Sequence, residues 1–383
     1  MKILVFAAFY HPYRGGYVES LHGLLRRLAA AGQEIIVLTC NTHQRPSKEI
    51  IDGIEVLRTS CWNPAWLAKS YPIPKPSVLG GLRRLGKKEF DLVSTQTRFY
   101  PTTWLGFLFA KWHGLPIIHT ERGAFHPVTG NQLVNYVGKV IDRSLGWAIC
   151  RFSDKVVGVS QAACRFARHL GARKSLLIYN GVDVDFWAKD GQGESKENGL
   201  TIAFVGRLVH GKGVQDLLLA LVLLRSRLPA VQFKSLKLAV VGDGPHKSYL
   251  MNLCDELRIK ESVVFFGEMG REGVKTVLQQ ADIFVNPSYS EGLPRSVLEA
   301  AAVGLPVVAT NVGGTVDILG GGAGILVPPG SVEQLSSELL TLISNKEIRR
   351  RLSLTAARNL RSRFDWNLIT KQYLALINQV SNL

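Results

Sequence analysis

The chain has 383 residues, of which 46% are hydrophobic and 20% charged, a composition that indicates a globular fold and excludes an intrinsically disordered chain. Its length predicts two or three domains. The formal net charge of +16 is uneven, because residues 1–196 carry 26 Lys and Arg against 14 Asp and Glu, whereas the remainder carries 20 against 16.

The basic excess of the first half indicates an anionic partner. No RRM, helix-turn-helix or zinc-finger pattern occurs, so nucleic acid is not expected. An anionic membrane surface or a lipid-linked phosphate acceptor is the better interpretation, since each Lys or Arg gains about 1 kcal/mol near acidic lipids. The alternative is a basic surface that only keeps the protein in solution.

Membrane spans and disulfides are not expected. No apolar run reaches the roughly 18 residues that a bilayer requires, and the N-terminal MKILVFAAFYHP reads as a first strand rather than a signal peptide. The odd, scattered cysteines lack CxxC spacing, so neither a disulfide framework nor a zinc site is indicated. We therefore expect a cytoplasmic protein, with peripheral attachment to the cytoplasmic face of a membrane as an extension. The cysteines are Cys40, Cys61, Cys150, Cys164 and Cys254.

The first strand, KILVFAA, is followed by the turn HPYRGG and by a predicted helix from about Val18 to Ala31. Gly15 and Gly16 let backbone amides approach a phosphate, although such a pair often makes only a turn. Further strands then alternate with helices. This alternation predicts a parallel sheet that binds ligands at the carboxyl ends of its strands. The strands are EIIVLT, IEVLR, FDLVST, LPIIHT and KVVGVS.

Two segments of this first half attract interest. Residues Ser70 to Phe90 combine prolines with a later basic, amphipathic stretch, which suits either a membrane interface or an ordinary surface helix with a buried stripe. The loop Leu115 to Pro127 follows a strand and contains His119, Arg122, Gly123 and His126, so it is a candidate site. The polar, Gly-rich residues 188–199 read as a linker.

The second half opens with LTIAFVGRLVHGKGVQDLLLALVLL, which predicts a strand, a loop and a helix. Arg207 and Lys212 lie in the loop, between Gly206 and Gly213. An arginine can grip phosphate oxygens bidentately and a lysine acts as a mobile point charge. Together they can neutralise a diphosphate leaving group without a metal ion, so no metal or cofactor is expected.

LKLAVVGDGP repeats the design of strand and glycine loop, and its Gly242 and Gly244 either line a nucleotide or only turn the chain. No GxGxxG with a suitably spaced acid and no GxxxxGK[ST] occurs, so NAD and P-loop functions have little support.

The most specific stretch runs from Asn286 to Gly314, NPSYSEGLPRSVLEAAAVGLPVVATNVGG. Pro294 begins a helix and Gly304 ends it, so Glu299 lies about one turn inside a helix that starts beside Gly292 and Leu293. Free amides at that start favour a phosphate. Glu291 and Glu299 can accept hydrogen bonds from hydroxyls near the phosphate, which is the chemistry of a nucleotide-sugar.

EGLPRSVLEAAAVGLPVVAT resembles the glutamate signature of retaining GT-B glycosyltransferases of family 4, the glycosyl transferases of group 1. The resemblance implies an α/β fold of two Rossmann-like, doubly wound parallel-sheet domains that face an interdomain cleft. It implies that Glu291 lies near the donor sugar and Glu299 binds the ribose. It also implies that Arg207 and Lys212 hold the diphosphate.

The same resemblance extends to weaker positions. It places Gly15 and Gly16 against the donor, and Gly267 and Glu268, after the strand VVFFG, near the base. The family's frequent EHG is ERG here, so the usual histidine is replaced by Arg122, displaced to His126 or represented by His119. The turn YNGVDVDFW, Tyr179 to Trp187, closes the first domain, and the amphipathic residues 364–383 return to it.

We therefore expect an acceptor-binding domain at 1–187, a linker at 188–199, a nucleotide-sugar-binding domain at 200–363 and a terminal helix at 364–383. The expected function is retaining transfer of a sugar from a UDP- or GDP-sugar to an acceptor hydroxyl of a lipid-linked or cell-surface glycan precursor. The alternatives are a sugar-nucleotide 2-epimerase and a non-catalytic protein that binds nucleotide-sugars or docks on membranes.

Overall fold

The structure is a computed structural model that describes residues 1–13, 15–64, 71–126, 132–188 and 199–381. The chain divides into two compact units, Met1–Gly181 with Trp366–Leu383, and Val182–Asp365. Most of the predicted linker, residues 189–198, lies outside the described residues, as do the start of the Ser70 to Phe90 segment and Pro127.

The first unit is built on an eight-stranded sheet of order β10-β9-β8-β7-β1-β2-β4-β3, in which only β3 is antiparallel. A separate antiparallel pair joins β5 and β6. The strands are β1 Lys2–Phe6, β2 Glu34–Cys40, β3 Lys48–Ile51, β4 Ile54–Thr59, β5 Cys61–Trp62, β6 Ile73–Pro74, β7 Leu92–Gln96, β8 Ile117–Glu121, β9 Lys155–Gly158 and β10 Leu176–Leu177.

Helices cover this sheet, and the expected doubly wound architecture of the first half is confirmed. They are α1 Gly16–Ala30, α2 Val78–Leu85, α3 Pro101–Trp112, α4 Gln132–Ile141, α5 Trp147–Phe152 and α6 Gln161–His169, with a π-helical turn at Asp142–Gly146 between α4 and α5. The first helix begins two residues before its predicted start. Nearly continuous apolar strands such as β1 are buried, which is the pattern of a parallel sheet covered by helices.

The basic stretch within Ser70 to Phe90 forms the short helix α2. Val78 and Leu85 are buried, and Leu82 packs on the same core, whereas Arg83 and Arg84 face solvent. The geometry therefore favours an ordinary surface helix with a buried stripe.

The second unit has a six-stranded parallel sheet of order β13-β12-β11-β14-β15-β16. Its strands are β11 Thr201–Val205, β12 Lys237–Val241, β13 Val263–Gly267, β14 Ile283–Asn286, β15 Val307–Thr310 and β16 Ile325–Val327. Its helices are α7 Val184–Trp187, α8 Val214–Arg227, α9 Ala230–Ser235, α10 Lys247–Glu256, α11 Arg271–Gln280, α12 Arg295–Val303, α13 Thr315–Leu319, α14 Val332–Ser344 and α15 Lys346–Arg363, with 3₁₀ turns at His210–Lys212 and Lys260–Ser262.

The division of the chain falls after Gly181, six residues before the predicted end of the first domain. Val182 donates its N–H to the Phe364 carbonyl over 2.8 Å, and Asp183 pairs with Arg271 at 3.1 Å. Trp187 is 1% exposed. These contacts hold the short helix α7 in the second unit.

The last helix, α16, spans Trp366–Ser381 and belongs to the first unit. The Arg27 guanidinium of α1 lies 4.7 Å from the centre of the Trp366 ring, and the Tyr373 hydroxyl lies 3.5 Å from that of Thr120. The last helix therefore packs on α1 and β8 of the first unit. Within the described residues, every helix is too short or too polar to cross a bilayer.

Candidate active site

The loop after β11 carries the two cations that the sequence singled out. Gly206 donates its N–H to the Val241 carbonyl over 3.0 Å, so the loop leaves the sheet beside the end of β12. A 3₁₀ turn then places Lys212 directly before Gly213, which has a φ of +67°. A Cβ on Gly213 would lie 2.0 Å from the Pro287 carbonyl oxygen. The close approach that only glycine permits brings the Lys212 loop against the end of β14.

The Lys212 ammonium meets Glu291 there. Its Nζ lies 2.6 Å from Glu291 Oε1, and the two side chains are 28% and 9% exposed. The Ser288 hydroxyl donates to the same oxygen over 2.7 Å, and the Asn286 amide lies 3.4 Å away. Among the described residues no donor reaches Glu291 Oε2 within hydrogen-bonding distance. Oε1 of Glu291 is therefore held by Lys212 and Ser288, whereas Oε2 can accept a hydrogen bond from another partner.

The backbone under Glu291 is fixed from the other side by the loop after β15. Gly314 donates its N–H to the Gly292 carbonyl over 2.8 Å. Gly313 has a φ of +53°, and a Cβ there would lie 1.7 Å from the Glu291 carbonyl oxygen. The VGG sequence that ends the signature stretch therefore supports Glu291 by close backbone contact.

Helix α12 begins at Arg295, with Pro294 as its N-cap and Leu293 buried just before it. The helix thus starts at Arg295, one residue later than the predicted start at Pro294. Glu299 lies one turn inside the helix, as expected, and Gly304 ends it in the left-handed conformation with a φ of +90°. The amides of the first turn of this helix have no acceptor within the helix.

Arg295 is a residue that the sequence reasoning missed. Its Nε donates to Glu299 Oε1 over 2.5 Å, and the two side chains are 21% and 9% exposed. The spacing of four residues on a predicted helix was a readable signal for this pair. The guanidinium orients the carboxylate to which the ribose role was assigned.

The remaining predicted positions of this unit lie along neighbouring strand ends. Gly242 donates its N–H to the Gly267 carbonyl over 2.8 Å, and the Asp243 carbonyl accepts from Leu208 over 2.9 Å. The loops after β11, β12 and β13 are thus tied together at one edge of the sheet. Gly244 and Glu268 lie in two of these loops. The structure brings the predicted set of the second unit to the carboxyl edge, where ligands bind in open α/β sheets.

In the first unit, Gly15 is the N-cap of α1 and Gly16 its first residue. The Gly15 carbonyl accepts the N–H of Glu19 over 3.0 Å, so the pair forms the turn from the first strand into the helix. Its neighbour Arg14 lies outside the described residues.

The strand end at β8 is organised by Arg98, which the sequence reasoning also missed. Its guanidinium lies 2.9 Å from Glu121 Oε1 and donates to Asp142 over 2.8 and 2.9 Å, and all three side chains are fully buried. Burial alone would raise the pKa of Glu121, but Arg98, the nearby His119 and the Gly123 N–H outweigh it and lower the pKa to about 2. Glu121 therefore stays ionised.

The two candidate histidines attach to this network in different ways. His126 Nδ1 lies 2.7 Å from Asp142 Oδ2, and its side chain is 20% exposed. His119 is fully buried, with Nδ1 3.0 Å from the Thr95 hydroxyl and Nε2 3.6 Å from Glu121. His119 has no surface with which to touch a sugar, so its position is that of a support for the strand end.

Arg122 is the remaining candidate for the family's usual histidine position. It donates to Gln96 Oε1 over 3.1 and 3.2 Å and to Asn180 Oδ1 over 2.9 Å, and its guanidinium lies 5.3 Å from the centre of the Tyr17 ring. Burial lowers its pKa. Within the described residues the hydrogen-bond partners of its guanidinium are the side-chain amides of Gln96 and Asn180. Gly123 uses its N–H on Glu121 over 2.7 Å.

Comparison with known proteins gives consistent matches over the whole chain. The sequence model of the family "Glycosyl transferases group 1" matches residues 185–359 of this chain. The sequence model of "Glycosyltransferase Family 4" matches residues 14–186. An uncharacterized glycosyltransferase of Methanocaldococcus jannaschii is 31% identical over 97% of this chain and 96% of its own.

Among solved structures, the sucrose-phosphate synthase of Thermosynechococcus elongatus is similar with a TM-score of 0.77 and 21% identity, over 99% of this chain and 98% of its own. HepE of Anabaena, solved in complex with UDP, has a TM-score of 0.76 and 20% identity, over 99% of this chain and all of its own. These likenesses show the fold.

Proposed function

The chain belongs to the group 1 and Family 4 glycosyltransferases and has their GT-B fold, and on that premise we propose that it transfers a sugar, with retention of configuration, from a nucleotide-sugar to an acceptor hydroxyl. The observation that carries the proposal is the Lys212–Glu291 pair, held at 2.6 Å at the edge of the second sheet. An ammonium for phosphate and a carboxylate for hydroxyls are the two chemistries that such a donor requires.

The donor in this proposal is a UDP- or GDP-sugar bound by the second unit. HepE of Anabaena has been solved with UDP, with UDP and glucose, and with UDP-glucose, which supports a uridine donor for a protein of the same fold. Lys212, Arg207 and the amides before α12 would take the diphosphate. Glu291 Oε2 would accept a sugar hydroxyl, and Glu299, oriented by Arg295, would accept the ribose hydroxyls.

The leaving group in this reaction is a nucleoside diphosphate. As the bond between the sugar and the phosphate breaks, negative charge grows on the phosphate oxygens, and a nearby ammonium and guanidinium stabilise it. The departing phosphate can itself take the proton of the acceptor hydroxyl, so the proposal contains no separate general base. It also contains no metal ion, which predicts full activity in the presence of a chelator.

The acceptor side of the proposal lies in the first unit, around Arg122, Gly123 and His126. His126 is held by Asp142 and partly exposed, so it can position an acceptor hydroxyl. An anionic, lipid-linked acceptor suits the basic character of this half of the chain.

Two experiments test the proposal in sequence. A thermal-shift screen of UDP, GDP and their sugars should raise the melting temperature with one base, because a ligand that binds only the folded state stabilises it. The sugar nucleotide so identified is then incubated without acceptor. Slow release of the nucleoside diphosphate supports a transferase, formation of an epimer identifies a 2-epimerase, and binding without turnover identifies a non-catalytic protein.

A further inference from the structure

One helical segment of the first unit turns its apolar face to solvent. The α-helix α4, the π-helical turn and α5 follow each other without a break from Gln132 to Phe152. Four apolar residues of α4 recur at the spacing of one helix face, which usually packs into a core. Here they are exposed: Leu133 by 70%, Tyr136 by 66%, Val137 by 47% and Val140 by 49%.

The exposed face continues through the π turn and α5. Leu145 is 41% exposed, Trp147 44% and Phe152 48%, and the Trp147 and Phe152 rings meet edge to face at 5.6 Å. The edge strand β10 adds Leu176, which is 40% exposed. We call the seven exposed residues of the helical segment the apolar stripe: Leu133, Tyr136, Val137, Val140, Leu145, Trp147 and Phe152. A patch of this kind on a folded protein marks an interaction surface.

A basic groove borders the stripe. It has a volume of about 540 Å³ and is lined by Arg151, Phe152, Lys155, Arg173 and Lys174, among others. A Cβ on Gly171 would lie 2.7 Å from the Trp147 ring, so the chain that carries Arg173 and Lys174 abuts the stripe. The groove and the stripe are therefore parts of one surface.

The charge around this surface is predominantly positive. Residues 132–181 contain eight Lys and Arg but only two acids, Asp142 and Asp154. Asp142 is buried against Arg98, and Asp154 accepts the N–H of Ile117 over 2.9 Å. Within the described part of the chain none of the eight cations lies within 4.0 Å of a carboxylate. They are Lys139, Arg143, Arg151, Lys155, Arg165, Arg168, Arg173 and Lys174.

We propose that the apolar stripe and the basic groove dock the protein on a bilayer that contains anionic phospholipids. The stripe lies in the interface with its aromatic rings at the level of the headgroups, and the groove takes lipid phosphates. Apolar side chains combined with unpaired cations match both layers of such a membrane, which a purely apolar or purely charged surface does not. The sequence-based alternative, helix α2, buries Val78 and Leu85 and exposes a single large apolar side chain, Leu79, beside its cations.

The test is cosedimentation of the full chain with vesicles of phosphatidylcholine, with and without phosphatidylglycerol. We expect binding only with phosphatidylglycerol, and weakening of it as salt rises to about 1 M, where the screening length falls to about 3 Å. Leu133→Ser with Tyr136→Ser should weaken binding at least tenfold. Arg173→Gln with Lys174→Gln should weaken it about 25-fold, since each of the two cations contributes roughly fivefold near acidic lipid.

Two matched controls keep the test specific. Leu108→Ser with Trp112→Ser removes apolar residues of α3 that are 62% and 88% exposed, and Arg83→Gln with Arg84→Gln removes the two exposed arginines of α2. Both should bind vesicles as the unaltered chain does. Equal losses in the controls, or no binding of the unaltered chain, would overturn the proposal.

Sedimentation velocity and nucleotide binding separate the other outcomes. A second copy of the chain is the competing occupant, and a dimer that the stripe variants dissociate, without vesicle binding, would assign the surface to self-association instead. The inference does not depend on sugar transfer. We therefore expect UDP or GDP to raise the melting temperature of the surface variants as much as that of the unaltered chain. Vesicle binding can thus fail while the proposed function stands, and the proposed function can fail while vesicle binding is observed.

Discussion

Replacement of Lys212 by alanine tests the electrostatic core of the proposed reaction. Two unit charges about 4 Å apart interact by about 4 kcal/mol at an effective dielectric constant of about 20. Lys212 is 28% exposed and shares its charge with Glu291, so its benefit to a departing diphosphate is smaller. A loss of about 3 kcal/mol corresponds to more than a hundredfold in turnover, as for removal of other preorganised transition-state donors.

The assay is the initial rate of nucleoside diphosphate release from the donor that the thermal-shift screen identifies. Charge that grows only as the bond breaks predicts equal falls of kcat and kcat/KM, with little change of KM. Lys212→Ala combined with Glu291→Gln should cost less than the sum of the two single changes, because the two side chains are in direct contact.

Arg227→Ala is a matched control for Lys212→Ala. Arg227 also forms an ion pair of 2.6 Å, with Glu333, and its side chain is 31% exposed, but it lies at the other end of α8. The control should keep its turnover and lose no more stability than the test variant. A folded Lys212→Ala variant with unchanged turnover would refute the role of the ammonium, and a change of KM alone would reduce it to ground-state binding.

Three further predictions concern buried carboxylates. Glu299→Ala should weaken binding of the nucleoside diphosphate by about tenfold or more, since a hydrogen bond to a charged group contributes about 1.5–3 kcal/mol. Arg295→Ala should weaken the same binding by less. Full affinity of the Glu299→Ala variant in calorimetry would contradict the ribose role. Arg98→Ala should lower the free energy of unfolding in urea by about 3–5 kcal/mol, because it leaves Glu121 and Asp142 buried without their cation, and a change below about 1 kcal/mol refutes this. The pKa of Glu121 is lowered from 4.5 to about 2 in the folded protein, so its ionised form stabilises the fold. This contribution to the free energy of unfolding is complete above pH 4.5 and is lost as the pH falls toward 2. Glu121→Gln should therefore reduce the dependence of the free energy of unfolding on pH between about 4.5 and 2, as measured by unfolding at each pH.

The sequence was sufficient where local pattern decides structure. Continuous apolar strands followed by glycine loops predicted both parallel sheets, and the Pro294 to Gly304 stretch predicted α12 nearly to the residue. The Lys212–Glu291 pair was not predicted as a contact, since 79 residues separate its members. Their separate assignments to a phosphate and a sugar nevertheless placed both at strand ends, and neighbouring parallel strands bring such ends together.

Other features were beyond local pattern. Arg98 lies in an unremarkable stretch, and it acquires its importance from Asp142, 44 residues away, and from the complete burial of both. The apolar periodicity of α4 was visible in the sequence, but period alone does not say whether a helix face meets a core or solvent. In the structure the apolar face of α4 is exposed. The basic stretch at α2 instead packs Val78 and Leu85 into the core of the first unit.

The asymmetric environment of Glu291 connects the geometry to the order of events in the proposed reaction. Oε1 is occupied by Lys212 and Ser288, which hold the carboxylate still before any substrate arrives. A diphosphate that enters beside Lys212 competes with Oε1 for the ammonium, while Oε2 accepts a hydroxyl of the incoming sugar. The carboxylate then remains stabilised by hydrogen bonds from Ser288 and the sugar, and the ammonium turns to the leaving group. The ammonium is held at the site before charge moves to the phosphate, and a cation positioned in advance is the condition for a large electrostatic contribution to the rate.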